Sequence, residues 1–431
     1  MSARWARAFS GAVLAALGLL LAVPARAEGR LEAFRRLRAE GVAAARAGDT
    51  ALARTRIEAA VALMPAHPGA LILLARLKVA DDPAAAVAVL ARHAGLGLVH
   101  DAGADPSLKS LTVRDDYAPV AARLAANRAA TGRPNGVASL EGPVLAEGVA
   151  HDPRTGRLLV SQVHGRKIVT IGGDGAISAF TAPADDVWGV FGLAADPSRR
   201  TLWALTAATP QARDIPADLL GATALLRIDL DTGQVLARHV PSADGVKRQF
   251  GDLALGPDGA VYVSNSLGGE VWRLKPGAGA LDRLVASPEI GSAQGLAVTA
   301  DAAHLVVADY SSGLHRIDLA SGAETAVETP ADLTLLGVDG LVRDGDGLIV
   351  VQNGVNPQRI LRLALSPDGA RITAAKVLAA NLPQLDEPTG GAMLDGRFVF
   401  VARSQWSDFG DDGLKTPAPA PAQIVSVQVR P

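Results

Sequence analysis

The chain has 431 residues, 49% of them hydrophobic, with 42 lysines and arginines against 44 acidic residues. That much apolar material supplies a large core and a smaller one and excludes a disordered chain. The near-balanced charge offers no basic stripe to displace counterions from phosphates, which excludes nucleic acid as a partner. With no cysteine in the chain, thiol nucleophiles, zinc-thiolate sites, iron–sulfur clusters and a disulfide framework are excluded as well.

Residues 1–27 place Arg4 and Arg7 ahead of an apolar run from Gly11 to Val23 and end in Ala25-Arg26-Ala27. That order predicts a secretory signal peptide cut before Glu28, and the run is short for a bilayer span of about 20 residues. Cleavage would leave 39 basic against 44 acidic residues, a formal charge of −5. It would leave no stable membrane span, and the mature chain is expected in a bacterial periplasm or outside the cell.

Residues 28–130 are rich in alanine, leucine and arginine, with apolar spacings of three and four such as Leu31, Phe34 and Leu37. They predict helices. In a 34-residue frame starting at Phe34, the small residues Gly41, Ala53 and Ala60 and the later Pro65 fall where a tetratricopeptide-like repeat needs close helix approach and a stop. A second, degenerate unit begins near Pro68, and Asp82-Pro83 reads as an N-cap with a first-turn proline. Such a domain is either a protein-binding module or a plain helical hairpin pair. Residues 131–136 are predicted to be a polar, flexible linker, leaving the helical domain separable from the remainder of the chain.

From residue 137 to 431 the texture changes to short Val, Leu and Ile runs cut by Gly, Asp-Gly and Pro-Asp-Gly turns, as in "EGVAHDPRTGRLLVSQVHG" and "GVDGLVRDGDGLIVVQNG". The equivalent positions Glu147, Phe191, Gly251, Gln294, Asp339 and Thr389 are 44, 60, 43, 45 and 50 residues apart. Six repeats of about one four-stranded blade predict a mainly β fold, a six-bladed β-propeller, with "GVASLEGPVL" and "QIVSVQV" sharing the closing blade. Residues ahead of the inner strands then converge at one mouth of the channel. A second polar set, Gln162, Thr206, Asn265, Asp309 and Gln352, with Ala402 in the last blade, falls where the second strands end.

Through "EGVAHDP", "QGLAVTAD...LVVADY" and "DGLVRDGDGLIVV" this region resembles the SMP-30, gluconolactonase and luciferin-regenerating enzyme family. The resemblance implies a divalent cation, Ca²⁺ or Mg²⁺, Zn²⁺ or Mn²⁺, and no organic cofactor, with a small-molecule lactone or ester as substrate. It assigns Glu147 and Asp339 as metal ligands and Asp339 as catalytic base; Gly251 and Gln294 stand where the family has asparagines, so Gln294 becomes the third ligand candidate, and Asp252, beside the Gly251 gap, either substitutes there or faces away. Asn265, Asp309 and Arg248 are the substrate-binding candidates. The missing asparagines and the helical repeats leave open a different reading, a non-catalytic scaffold that binds a protein partner. The serines of "YSSG" lack the strand-to-helix setting of a nucleophile elbow.

Overall fold

The computed structural model describes residues 28–430 apart from 183, 185, 416 and 417; the predicted signal peptide lies outside these residues. Among the described residues no helix is long and apolar enough to cross a membrane. Six four-stranded antiparallel sheets form the propeller. In blade 1 the strands are Ala146–Asp152, Arg157–Gln162, Lys167–Ile171 and Ile177–Ala179, in order from the channel outward. The inner strands of blades 2 to 6 begin at Gly189, Phe250, Ala293, Val338 and Gly391. Blade 6 is completed by Asn135–Leu140, which pairs with Ala422–Gln428, so the two ends of the propeller sequence close the ring and no inner edge is left open.

Between blades the sheets stack through apolar faces, for example Ala150, Leu159 and Ile168 of blade 1 against Val190, Leu193 and Leu202 of blade 2. Alternation places these residues on the faces between blades, as a period of two requires. Each inner strand of blades 1 to 5 has a register irregularity at its start, at the residues following Ala146, Val190, Phe250, Ala293 and Val338. Four of these irregularities contain a residue followed by glycine: Glu147-Gly148, Phe191-Gly192, Gln294-Gly295 and Asp339-Gly340. The glycine is required by neighbouring backbone. A Cβ on Gly295 would lie 2.3 Å from Leu341 N, and one on Gly192 would lie 2.9 Å from Asp252 Cα. Blade 3 inverts the pair to Gly251-Asp252.

The helical region consists of α1 (Arg30–Arg46), α2 (Thr50–Leu63), α3 (Pro68–Lys78), α4 (Pro83–Gly95) and α5 (Ala118–Asn127). Helices α1 and α2 form one hairpin and α3 and α4 a second. Their close approach depends on small residues, since a Cβ on Gly41 would lie 2.6 Å from Ile57 Cδ1. Asp49 and Asp82 cap α2 and α4 by accepting from Leu52 N (3.0 Å) and Ala85 N (2.9 Å), and Pro83 fills the first turn.

This region docks on the propeller mouth where the inner strands begin, over blades 4 and 5. Glu289 takes the N-terminus of α1, accepting from Arg30 N at 2.8 Å. Leu336 and Val355 of the propeller join the helical core. Arg359, 3% exposed, donates to Gln352 Oε1 (2.7 Å), Leu96 O (3.2 Å) and Thr334 O (3.3 Å) without a carboxylate partner in these bonds. Its counter-charge at the helical side is the carbonyl end of α4, the negative pole of that helix.

The expected flexible linker is corrected. Thr131 pairs with Ala380 in both directions (2.9 and 3.1 Å), and a Cβ on Gly132 would lie 2.2 Å from Leu378 O, so the segment is fastened along blade 5. Glycine and proline content signalled a break in secondary structure there; it carried no information about backbone partners.

Candidate functional site

Because all inner strands run the same way, the dipeptides at their starts form a ring around the channel. The ring bounds one end of a cavity of about 490 Å³, lined beyond it by Val149, Leu193, Leu253, Leu296 and Leu341. Glu147, Asp252, Gln294 and Asp339 face this cavity. Phe191, by contrast, is 1% exposed and packs in a core, and Thr389 is 1% exposed with its hydroxyl donating to Glu147 O at 2.7 Å. Gly390 N also donates to Glu147 O (2.9 Å), which fixes the first blade's backbone against the sixth.

Each ring carboxylate is oriented by a neighbour. Trp406 Nε1 donates to Glu147 Oε2 at 2.7 Å. Asn353 Nδ2 donates to Asp339 Oδ2 at 2.7 Å and to Pro388 O at 3.1 Å, while Tyr310 OH donates to Asn353 Oδ1 at 3.1 Å. The result is a hydroxyl-to-carboxamide-to-carboxylate chain. Asp252 accepts from the backbone N–H of Leu253 (2.8 Å). Gln294 donates through Nε2 to Ser292 Oγ (2.9 Å), which leaves its carbonyl oxygen beside Gly251, 3.6 Å from where a Cβ would stand.

Burial in the channel raises the proton affinity of every one of these acids. Glu147 is raised well above the usual carboxylate range, first by burial and then by the charge of Asp339, with Trp406 opposing and Asp252 and Glu387 adding to the rise. Burial pushes Asp252 up to about 7 against the Leu253 N–H, helped by Asp339. Asp339 is pushed up to about 6 by burial, opposed by Asn353 and assisted by Glu387. Glu387, in the loop ahead of blade 6, is raised by burial and Asp386, with Lys415 opposing. No basic side chain contributes to the shifts of Glu147, Asp252 or Asp339. A cluster of buried acids without a cation is costly, and its chemistry is that of a site built for a positive charge or a proton transfer.

The donor set fits a hard divalent cation, because every candidate atom is oxygen: the three carboxylates and the Gln294 carbonyl. Among the described residues no three His, Cys, Asp or Glu side chains are grouped closely enough to form a metal cage by themselves. Gln294 and water would have to complete any coordination shell.

The sequence candidates divide. Glu147, Gln294 and Asp339 come together at the ring. Arg248, Asn265 and Asp309, expected to bind substrate, do not line this cavity, and their polar atoms are taken. Arg248, 2% exposed, donates to Asp244 (2.7 Å) and Glu270 (2.6 Å) and stacks its guanidinium 4.9 Å from the Trp272 ring centre. Asn265 accepts from Gln249 N (3.0 Å) and donates to Glu270 (3.1 Å). Asp309 accepts from Gly291 N (3.0 Å) and Ser292 N (2.5 Å). Asp252, the substitute at the Gly251 gap, faces the cavity, and Asn353, Trp406 and Glu387 join the site beyond the ligand and substrate candidates. Asp252 had one signal, its inversion with Gly251; Trp406 stood out in the sequence as a loop aromatic able to wall a pocket, and nothing tied it to its partner Glu147, 259 residues away.

These features define a class: a six-bladed propeller whose channel carries unpaired acids at one end. No protein-family model matches the chain, and no curated protein sequence does. Solved structures similar to it include a gluconolactonase from Xanthomonas campestris, 16% identical over 71% of this chain and 93% of that one, with a TM-score of 0.46. A luciferin-regenerating enzyme is 13% identical over 67% and 92%, with a TM-score of 0.47. A PQQ-bound aldose sugar dehydrogenase from Streptomyces coelicolor is 16% identical over 70% and 100%, with a TM-score of 0.46. A fold does not fix a function, so any activity of this chain has to be argued from its own side chains.

Proposed function

We propose that the protein is a hydrolase of a lactone or small ester, acting at the ring end of the channel with Asp339 as general base. The observation that supports this most is the group of buried acids Glu147, Asp252 and Asp339, raised in proton affinity and facing one cavity, with no basic side chain among the groups that shift them; Arg343 and His151 line the same cavity. Asn353 occupies Oδ2 of Asp339 and Tyr310 steadies Asn353, which leaves Oδ1 to take a proton from water. A carboxylate with proton affinity near that of the reaction medium is a more effective base than an ordinary one. Above about pH 6 Asp339 is ionised and able to act.

Glu147, Gln294 and Asp339, completed by water, would hold a divalent cation, Ca²⁺ or a similar hard ion, and such an ion supplies polarisation of the substrate carbonyl. Trp406 orients Glu147 toward the same space. The apolar walls of the channel, Val149, Leu193, Leu253 and Leu341, exclude water from the non-reacting part of a substrate.

One observation favours a second reading. The helical region sits on the same mouth, fixed through Glu289, Arg359 and Thr131. A binding scaffold would use that composite surface for a partner and leave the acids without a reaction. Metal analysis of chain purified without chelator, followed by hydrolysis of a panel of γ- and δ-lactones and aryl esters before and after chelation, separates the two. Bound metal with hydrolysis lost on stripping supports the hydrolase. Absence of hydrolysis across the panel in metal-replete protein overturns it in favour of the scaffold.

A further inference from the structure

The "YSSG" turn of blade 4 acquires a chemical setting in three dimensions. Ser312 precedes the strand Gly313–Asp318, which carries His315, and Glu324 begins the next strand, Glu324–Ala326. Ser312 Oγ lies 2.7 Å from His315 Nε2, and His315 Nδ1 lies 2.5 Å from Glu324 Oε1. Glu324 is held in turn by Ser287, whose hydroxyl donates to Oε2 at 2.9 Å. His315 is fully buried, whereas Ser312 retains exposure. The order hydroxyl, Nε2, Nδ1, carboxylate is the one a nucleophilic serine needs: the acid fixes the tautomer with its proton on Nδ1 and leaves the Nε2 lone pair facing the hydroxyl.

Two further acceptors surround the same oxygen, Glu289 O at 2.8 Å and a carboxylate oxygen of Asp309. A hydroxyl has one proton to give. The three contacts hold the oxygen in place, and the nucleophilic state is the one in which the proton points to His315 Nε2 rather than to Glu289 O or Asp309. Ser312 also lines a second cavity, about 670 Å³, between the helical region and blades 4 and 5, far along the ring from Glu147. Leu63, Met64 and Leu96 of the helical side and Leu314, Leu333 and Leu335 of the propeller make its walls.

We propose that Ser312, His315 and Glu324 form a second, metal-independent acyl-transfer site, with the interdomain cavity taking a carboxylic ester that has an apolar acyl group. In the first step a bond forms between Ser312 Oγ and the ester carbonyl carbon as the hydroxyl proton passes to His315 Nε2. The carbon–alkoxy bond then breaks, and the alcohol leaves with that proton. Water attacks the acyl-serine through the same imidazole, releases the carboxylic acid and restores the hydroxyl. Glu324 is a positioning residue throughout, and the helical domain becomes part of the active site because it supplies half of the acyl cavity. The inference is independent of the ring site, which it neither uses nor requires.

The test is to treat the full chain with an alkyl fluorophosphonate at pH 8 in the presence of chelator and to map the adduct by peptide mass spectrometry. The expected result is one adduct per chain on Ser312, lost in Ser312→Ala and formed at least about a hundredfold more slowly in His315→Gln, the loss that removal of a general base produces. Glu324→Gln should slow labelling while circular dichroism and the melting temperature show a folded chain. Should the histidine variant fail to fold, the wild-type comparison of Ser312 with its neighbour Ser311 still decides. An unlabelled Ser312, or one labelled no faster than Ser311, overturns the proposal. So does nitrogen NMR showing both His315 ring nitrogens protonated at pH 8, since Nε2 would then donate to the serine and the network would be only a tie between strands.

Discussion

Two sets of polar residues recur around the propeller with the same period, and they do opposite things. The first stands at the starts of the inner strands, at Glu147, Gln294 and Asp339. The second stands at the ends of the next strands, at Gln162, Thr206, Asn265, Asp309 and Gln352. In the second set four side chains satisfy backbone of the loop entering their own blade: Thr206 accepts from Trp188 N (2.7 Å), Asn265 from Gln249 N (3.0 Å), Asp309 from Gly291 N (3.0 Å), and Gln352 donates to Leu336 O (2.7 Å); Gln162 is the exception, its buried Oε1 having no hydrogen-bond donor among the described residues. Gln405 serves blade 1 from the other side of the closure, accepting from Leu145 N at 2.9 Å. Members of the first set keep carboxylate or carboxamide oxygens facing the cavity. Periodic polarity therefore marks both architecture and site, and what separates them is whether local backbone donors are left over.

The largest expected effect is at the first ring. If Asp339 is the base, Asp339→Asn should lower kcat by roughly 10²–10⁴-fold with the melting temperature preserved, because the amide still accepts from Asn353 through oxygen and fills the same volume. Glu147→Gln should lower bound metal. Removal of two groups joined through one ion should be non-additive, so the double variant should lose less than the product of the single losses. Equal activity of wild type and both single variants on a substrate the wild type hydrolyses would move the site elsewhere.

The second effect is on stability alone. Arg248→Ala takes one charged partner from Glu270, which keeps Arg283, Asn265 and Trp272, and empties the space over the Trp272 ring; loss of a hydrogen bond between charged groups costs about 1.5–3 kcal/mol. Denaturant titration should show that loss with KM unchanged. A raised KM with unchanged stability would return Arg248 to the substrate-binding role the family resemblance implied.

A third, smaller effect tests the electrostatics of the ring. Asp252 binds its proton more tightly folded, near 7, than its ordinary 3.8. Stability from the protonated form is therefore complete below about pH 4 and is lost as pH rises through about 7. In chelated protein Asp252→Asn should add on the order of 2 kcal/mol at pH 8 and almost nothing at pH 4. The same variant removes a negative neighbour from Glu147, so titration of the ring should move to lower pH. Thermal melts of the two proteins across pH 4 to 8 check the first expectation, and a pH–rate profile checks the second.

The blade count and the closing blade were legible because strand runs and turn residues repeat locally, and two ring acids were legible because they stand at a fixed place in that repeat. Asp252 was half legible: its exchange with glycine breaks the pattern, but only the folded ring, with a register irregularity at that point of blade 3, puts its side chain on the cavity. The role of Trp406 depends on ring closure, which brings a late loop against the first blade. The seating of the helices depends on Arg359, Leu336 and Val355, isolated residues in blade 5 and the loop before it that no helical period foretells. Local repetition can be read along a chain; the use of a single side chain by a distant element cannot.

The smallest effect sharpens the comparison of the two rings most directly. Asn265 is 3% exposed and spends its oxygen on Gln249 N and its amide on Glu270. Asn265→Ala leaves the Gln249 N–H without its acceptor at the entrance to blade 3, which costs about 1–3 kcal/mol. Asn265→Asp restores the acceptor but places a second carboxylate 3.1 Å from Glu270, where the amide donated before. The alanine variant should therefore be destabilised with kcat and KM intact, and the aspartate variant should be destabilised more at pH 8 than at pH 4, since protonation removes the repulsion. Melting curves at the two pH values, read beside a lactone assay, check both. A loss of turnover in the alanine variant at full stability would place Asn265 in the reacting site and dissolve the distinction between the rings.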